Sequence, residues 1–283
     1  MKSWRIIFTG TDDAFFNMAL DEALLLSCQR GTSPSVLRLY LWEPPAVSMG
    51  YFQSAEKTVD LKKCKDRGIH VVRRITGGRA VLHQNEITYS VCASGDDLAQ
   101  LGENTIQTYQ KLSLALLESM CILGIEGEWV KLSRGKKLFS LPHIFSVPCF
   151  VSSSRYEITV EGKKLIGSAQ RRFSFQDHQG RKDSFIQHGS ILMGKGKYSL
   201  AELLPDEISM EMVKQNLDER STNMEKILKR RIKPEEIISA LKRGFEKFFA
   251  SRMENSKVSE EELKMAQGLK KKKYLSDKWN LRR

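Results

Sequence analysis

The segment Arg73-Arg74-Ile75-Thr76-Gly77-Gly78-Arg79-Ala80-Val81-Leu82-His83 carries the strongest local signal in the chain. Strands predicted at 69–75 and 79–83 flank two glycines, which tolerate positive φ and let backbone N–H groups approach a ligand. Arginines before and within the turn are suited to hold a negatively charged group. The spacing matches neither a P-loop nor a dinucleotide-binding fingerprint. A glycine hairpin with surface arginines explains the segment equally well from spacing alone.

Helices and strands alternate on both sides of this segment. Periodicity and capping signals predict helices over 13–30, 60–67, 105–123 and 234–250, with a last helix starting at Ser259. Strands are predicted at 36–42, 46–50, 87–93, 143–151, 155–161, 164–171 and 184–193. This order predicts an α/β (α+β) fold with mixed β-sheets flanked by helices. We expect a catalytic domain over residues 1–255 and a basic C-terminal extension over 256–283.

The composition is that of a globular protein with an excess of positive charge. The 283 residues carry a formal net charge of +12, and residues 229–283 hold 17 Lys and Arg against 8 Asp and Glu. The remaining body is nearly balanced, which weakens the case for nucleic-acid binding by the whole fold. No apolar run approaches the ~20 residues that span a bilayer, and no signal peptide is recognised. We expect a cytoplasmic protein that contacts neither membrane nor nucleic acid.

Five scattered cysteines, without a CxxC pair, predict reduced thiols and no zinc site. Cys149 follows an apolar run and precedes three serines, so it is a candidate nucleophile at a strand end, although a lone cysteine is more often a small buried side chain. Cys64 is its rival, because neighbouring lysines would lower its pKa. Cys92 and Cys121 are predicted to belong to the core.

The strand predicted from Lys164 offers a second candidate site. Alternation places Lys164 and Ser168 on one face, and Gly167 and Ala169 on the other, where small side chains leave room for a ligand. A Gly-Lys-Lys hairpin tip is the plainer interpretation when this segment is taken alone. His188 precedes a glycine in a strand and is more simply explained as a structural histidine. No metal-ligand cluster and no paired-carboxylate site are recognised.

Together these segments resemble the biotin/lipoate protein ligase superfamily, and within it the LipM-type octanoyltransferases. The resemblance runs from about residue 4 to 250 in the same order. It is carried by blocks at 17–23, 37–40, 48–53, 73–83, 149–150, 156–157, 162–170 and 187–190. It implies the catalytic-domain fold of that superfamily and transfer of an octanoyl group through a cysteine thioester.

The resemblance also implies roles for individual residues. Cys149 matches the acyl-thioester nucleophile, and Lys164 matches the lysine that lowers the thiol pKa and transfers protons. The residues expected to bind substrate are Arg73, Arg74, Gly77, Gly78, Arg79, Ala80, His83, Gly167, Ser168, Ala169 and His188. The implied donor is octanoyl-acyl carrier protein and the implied acceptor is the glycine cleavage H protein or another lipoyl-domain protein. No cofactor and no metal are expected, and a monomer is assumed.

Three alternatives remain. ATP-dependent lipoate ligases commonly have a third small residue after the two glycines and an acidic residue after the histidine, where this chain has Arg79 and Gln84. Amidotransferases that move octanoyl groups from H protein also use a cysteine near position 149, but their glycine block usually differs. A basic nucleic-acid-binding protein is the non-enzymatic alternative, weakened by the absence of aromatic residues within Lys270–Lys273.

Overall fold

The computed structural model describes residues 3–129, 157–177 and 180–282. Its strands are β1 (Trp4–Asp12), β2 (Val36–Trp42), β3 (Ala46–Met49), β4 (His70–Arg73), β5 (Val81–His83), β6 (Glu86–Ser94), β7 (Glu128–Trp129), β8 (Ile158–Val160), β9 (Lys163–Asp177), β10 (Gly180–Leu192) and β11 (Met253–Asn255). Its helices are α1 (Ala14–Gln29), α2 (Ala55–Thr58), α3 (Leu61–Asp66), α4 (Leu98–Leu101), α5 (Thr105–Ile122), α6 (Met210–Arg220), α7 (Met224–Leu228), α8 (Pro234–Phe249), α9 (Glu260–Leu269) and α10 (Asp277–Asn280).

Two mixed sheets form the centre of the described fold. The larger has the strand order β11-β1-β2-β6-β10-β9-β8-β7, and the smaller has the order β4-β3-β5. β1 pairs in parallel with β2, whereas β6, β10 and β9 are antiparallel to their neighbours. The predicted α/β fold with mixed sheets and flanking helices is confirmed.

Alternating side chains of the larger sheet face two separate cores. Leu37 and Leu39 of β2 pack with the helix pair α5 and α8, while Val36 and Tyr40 pack on the opposite face with α1. Strand residues two apart point to the same face, so one strand supplies both cores. The helices α5 and α8 approach so closely that a Cβ on Gly244 would lie 2.1 Å from the Ser119 Oγ.

Local signals fixed the helix starts well. The sequence predicts Asp12 as the N-cap of the first helix. α1 instead begins after Asp13, one residue later, and the Asp13 carboxylate accepts from the Phe16 N–H. Ser259 and Glu262 form the predicted capping box of α9. The apolar periodicity of residues 105–123 predicts that Ile106 faces the core. It is instead 50% exposed, because it lies in the first turn of α5 and the core contacts of that helix start at Thr108 and Leu112.

The strand predicted near 143–151 lies outside the described residues. The polar stretch at 176–183 predicts a turn, but its described residues belong to the strands β9 and β10, which form one long hairpin with Gly180 opposite Asp177. Local turn propensity was overridden by pairing along the full length of this hairpin.

The C-terminal segment packs against the rest of the fold. α9 and the π-helical turn Lys270–Tyr274 contact α1, and Tyr274 is fully buried with its hydroxyl donating to Glu22. Lys270 pairs with Asp13 at 2.5 Å and Lys273 pairs with Glu22 at 2.7 Å. Part of the basic run is therefore engaged in intramolecular ion pairs.

Candidate active site

The glycine segment is not a hairpin. β4 and β5 flank it, but β3 lies between them and pairs with both, so residues 74–80 cross over the end of β3. The backbone of this crossover therefore lies at the end of the small sheet and faces the larger sheet. The glycine hairpin considered from spacing alone is therefore wrong.

Arg74 shapes this crossover. The residue is 4% exposed, and its guanidinium donates to the carbonyl oxygens of Gly77 at 2.7 Å, Arg79 at 2.8 Å and Ser48 at 2.8 Å. Gly78 has φ of +89°, and a Cβ there would lie 2.7 Å from the Arg74 Nη2. The second glycine is therefore required both by its backbone conformation and by the space that Arg74 occupies.

A pocket opens between this crossover and the hairpin of β9 and β10. It brings together six residues predicted to bind substrate: Arg74, His83, Gly167, Ser168, Ala169 and His188. The other residues lining it are Met18, Tyr40, Trp42, Ser48, Val81, Thr88, Gly189 and Ser190. The small residues Gly167 and Ala169 leave space along β9, as the alternation of that strand predicted. The lining combines apolar surface with a few fixed polar groups, as is typical of small-ligand sites.

The remaining predicted residues lie around this pocket rather than in its lining. Gly77 and Arg79 contribute the carbonyl oxygens that accept from Arg74, and Gly78 lies between them in the crossover. Ala80 packs in a small core under β3 with Val47. Their placement makes them structural supports of the crossover.

Arg73 lies at a different place, between the crossover and the C-terminus. Its side chain is fully buried and donates to six carbonyl oxygens, those of Gly50, Tyr51, Gln53, Trp279, Asn280 and Arg282. Burial, reinforced by the charge of Arg282, lowers the pKa of Arg73 to about 10. Its contacts are those of a structural anchor.

His188 is held by a buried carboxylate. Its Nδ1 lies 3.1 Å from the Asp21 Oδ2, and its Nε2 lies 2.6 Å from the Thr76 hydroxyl in the crossover. An ionised Asp21 requires Nδ1 to be the donor, so Nε2 accepts from Thr76. Burial lowers the pKa of His188, while the hydrogen bond with Asp21 raises it in part. A neutral imidazole therefore ties the crossover to β10.

Asp21 also binds the sheet. Burial alone would raise its pKa, but the charge of Arg38, 2.7 Å away, and the hydrogen bond with His188 bring the pKa below its usual value. The Tyr40 hydroxyl donates to the second oxygen of the same carboxylate at 2.9 Å. Both Asp21 and Arg38 are at most 1% exposed. This ion pair is fully enclosed and hydrogen-bonded on both sides.

His83 repeats the arrangement on the other side of the pocket. Its Nδ1 lies 2.8 Å from Glu86 and its Nε2 lies 2.7 Å from the Ser48 hydroxyl. The Trp42 ring stacks on the imidazole, with ring centres 4.0 Å apart. Two histidines of fixed orientation thus line one pocket, each oriented by a buried carboxylate.

Sequence reasoning missed both carboxylates. Asp21 is three residues from Met18 on the buried side of an apolar helix, and a charged residue at a core position is a signal for a buried polar network. Glu86 follows His83 by three residues, but it pairs with the histidine across a strand end rather than along a helix. That contact has no sequence signature.

Lys164 is buried at the start of β9. It is 4% exposed, and its Nζ lies 2.5 Å from the Oε1 of Glu157. Cys149 lies outside the described residues. The strand that carries Lys164 continues directly into the pocket-lining residues Gly167, Ser168 and Ala169.

Two other cysteine predictions are wrong. Cys64 is 1% exposed, and its burial raises the pKa of the thiol to about 11, so the neighbouring lysines do not activate it. Cys121, predicted to be core, is exposed, because it lies one helical step beyond the buried Met120 on α5. Cys92 is buried as predicted.

Within the described ranges, no helix is long and apolar enough to cross a membrane. The same residues contain no cluster of three or more His, Cys, Asp or Glu side chains with a metal-binding arrangement.

Comparison with known proteins identifies the family. The model of the lipoyl protein ligase A/B catalytic domain matches residues 13–246. Octanoyltransferase LipM from Kyrpidia tusciae is 37% identical and octanoyltransferase LipM from Bacillus subtilis is 34% identical, each over 99% or more of both chains. The predicted resemblance is confirmed.

Solved structures agree with this placement. A lipoate-protein ligase A bound with ATP superposes with a TM-score of 0.78 at 25% identity, covering 99% of both chains. The bipartite lipoate protein ligase of Thermoplasma acidophilum gives a TM-score of 0.79 at 25% identity, covering 100% of this chain and 98% of that one. With its domain match and its full-length relatives, this chain belongs to the lipoyl protein ligase A/B catalytic domain family.

Proposed function

We propose that the chain takes an octanoyl group from octanoyl-acyl carrier protein onto Cys149 and passes it to a lysine of a lipoyl-domain protein, such as the glycine cleavage H protein. Octanoyl transfer in protein lipoylation is the reaction named for its full-length relatives, and the chain is an acyltransferase of this kind. The identity of the donor, the identity of the acceptor and the roles of individual residues are what we propose. The pocket between the crossover and β9, on the strand that carries Lys164, is the observation that carries it.

The chemistry proceeds in two balanced steps. The Cys149 thiolate attacks the thioester carbonyl of the donor, the bond to the carrier sulfur breaks, and the carrier leaves as a thiol after taking up a proton. The acceptor amine then attacks the enzyme thioester, the bond to Cys149 breaks, and an amide forms with release of a proton. The donor thioester is already activated, so no ATP is consumed.

Lys164 is suited to the proton transfers in this scheme. Its ammonium favours the thiolate form of a nearby cysteine, which is the nucleophilic form. The contact with the buried Glu157 fixes the position of its Nζ. A positioned acid–base group contributes about 10²- to 10⁴-fold to rate, so we expect Lys164→Met to slow transfer by a factor in that range.

The pocket provides the acyl-binding site in this proposal. Trp42, Val81 and Met18 supply apolar surface, and the small residues of β9 leave room for an unbranched chain. Each buried methylene contributes about 0.8 kcal/mol, so an eight-carbon chain is distinguished from shorter ones by burial alone.

Intact-mass spectrometry tests the proposal. The wild-type protein is mixed with octanoyl-acyl carrier protein, and Cys149→Ala is compared with Cys121→Ala as the matched control, because Cys121 is exposed. We expect one octanoyl adduct on the wild type and on Cys121→Ala, and none on Cys149→Ala. An undiminished adduct on Cys149→Ala excludes that nucleophile.

An ATP-dependent ligation is the second candidate, because a solved relative is a lipoate-protein ligase A bound with ATP. It requires an acyl-adenylate and no cysteine. Octanoate and ATP are therefore supplied to Cys149→Ala together with a lipoyl-domain acceptor. Acceptor modification under these conditions supports the ligase, and its absence supports the transferase.

Supplying octanoyl-H protein as the donor tests the amidotransferase alternative.

A further inference from the structure

A cluster of cationic and aromatic side chains lies beside the acyl pocket. The Arg171 guanidinium lies 4.2 Å from the centre of the Tyr51 ring and 4.8 Å from that of Phe173. The Arg282 guanidinium lies 3.9 Å from the Tyr51 ring centre and 4.4 Å from that of Trp279. We call these five residues the cation–aromatic patch. Arg171, Tyr51, Phe173 and Trp279 line a surface depression together with Lys273, Glu22 and Ile75, and Arg282 contacts two of their rings.

The patch is continuous with the acyl pocket. Arg171 follows the pocket residue Ala169 by two positions on the same face of β9, a separation of about 7 Å. Its Nη1 donates to the Ile75 carbonyl at 3.0 Å, directly before Thr76 and the two glycines. A ligand that enters the acyl pocket past the crossover therefore passes close to Arg171.

The two arginines retain their charge for an external partner. In the described part of the chain, Arg171 and Arg282 contact ring faces, the Tyr51 side chain and main-chain carbonyl oxygens, and no ion pair with a carboxylate involves them. Lys273, by contrast, is neutralised by Glu22 at 2.7 Å. Both guanidinium groups lie over the Tyr51 ring, and their hydrogen bonds and charges lower the pKa of Tyr51.

We propose that the cation–aromatic patch binds the phosphate group of the arm on which an acyl carrier protein holds its thioester. This rests on the proposed donor, whose acyl chain is attached through a phosphopantetheine arm. Arginine presents paired N–H groups that match phosphate oxygens, and stacking on a ring leaves those edges available. The acceptor lysine carries no phosphate, so the patch recognises the donor and not the acceptor.

Two small donors test the phosphate assignment without the carrier protein. Octanoyl-phosphopantetheine and octanoyl-pantetheine differ only in the phosphate, and kcat/KM for acylation of the enzyme is measured with each. We expect the wild type to prefer the phosphorylated donor by about 10-fold or more, as for one charged hydrogen bond. Arg171→Gln and Arg282→Gln should each lower this ratio towards one. Arg252→Gln, an exposed arginine outside the patch, should keep it.

The ratio within one variant is insensitive to partial loss of folded protein, which thermal unfolding of each variant checks separately. A wild-type ratio near one, or an unchanged ratio in both patch variants, overturns the proposal. If the patch variants lose activity only with the intact carrier protein, the patch contacts the protein surface and the phosphate assignment is wrong. If no octanoyl donor, the intact carrier included, acylates the wild type, the proposed function itself fails.

Discussion

The backbone N–H of Arg73 donates to the Oδ1 of Asn280 at 2.9 Å, and the Arg73 guanidinium donates to the Asn280 carbonyl at 3.0 Å. These bonds join residues 207 positions apart. Since Arg74 is the next residue and shapes the crossover, the C-terminal turn is connected through the backbone to one wall of the pocket for which we propose acyl binding. The C-terminus is therefore part of the framework of the site.

Asn280→Ala should destabilise the protein. The Asn280 side chain also donates to the Tyr274 carbonyl at 2.6 Å, and its loss leaves buried polar groups unsatisfied. We expect a loss of about 1–3 kcal/mol in the free energy of unfolding, measured by urea denaturation. Lys278→Ala, exposed on the same helix, is the control and should change stability little. Equal stability of the two variants would contradict the role of Asn280.

His188 should make stability depend on pH below neutrality. Its folded pKa is lowered from 6.5, by burial first and then by the charges of Arg74 and His83 against the opposing effect of Asp21. The unfolded state therefore binds more protons as the pH falls below 6.5 towards the folded pKa. We expect the free energy of unfolding to decrease over that interval.

Urea denaturation at a series of pH values measures this dependence. His188→Gln should be less stable than the wild type at pH 7, but its stability should fall less steeply below 6.5. A slope equal to that of the wild type would exclude His188 as a source of the dependence.

Ala169→Val should shift the acyl preference to shorter chains. Ala169 lines the pocket, and its Cβ would lie 3.6 Å from a Cβ on Gly78, so added methyl groups have to occupy the pocket space. We expect kcat/KM for octanoyl donors to fall more than that for butyryl donors, by about 4-fold or more, the value of one buried methylene. An equal loss for both donors would indicate damage to the fold instead of a smaller pocket.

Charge reversal at Lys271 and Lys272 should slow encounter with an acidic donor protein. Both side chains are exposed, whereas Lys270 and Lys273 are ion-paired, and deletion of the segment would remove the buried Tyr274. The double variant to Glu should lower kcat/KM at low salt and weaken its salt dependence, since steering acts on association rate.

The matched control is a double reversal at the exposed Lys62 and Lys214, which lie outside the basic region 229–283 and make the same change in net charge. If both double variants respond identically to salt, the C-terminal charge affects only the net charge of the protein.

Helix starts and the main strands could be predicted because they depend on neighbours in the chain. Asp60, Ser259 and Pro234 each mark the start of a helix through contacts within one turn. Predictions that depended on burial were less secure. Cys64 appeared activated from its lysine neighbours, and only its burial in the small core shows that the pKa of its thiol is raised.

The sequence by itself determined the family, the α/β character and six of the residues that line the pocket, since these follow from short blocks and local periodicity. Tertiary structure alone decided that β3 separates β4 from β5, that Asp21 and Glu86 orient the two histidines, and that Arg73 anchors the C-terminus. Asp21 and His188 are 167 residues apart, so their contact exists only once β10 lies beneath α1. Such pairs depend on strand order and burial, which no local pattern encodes.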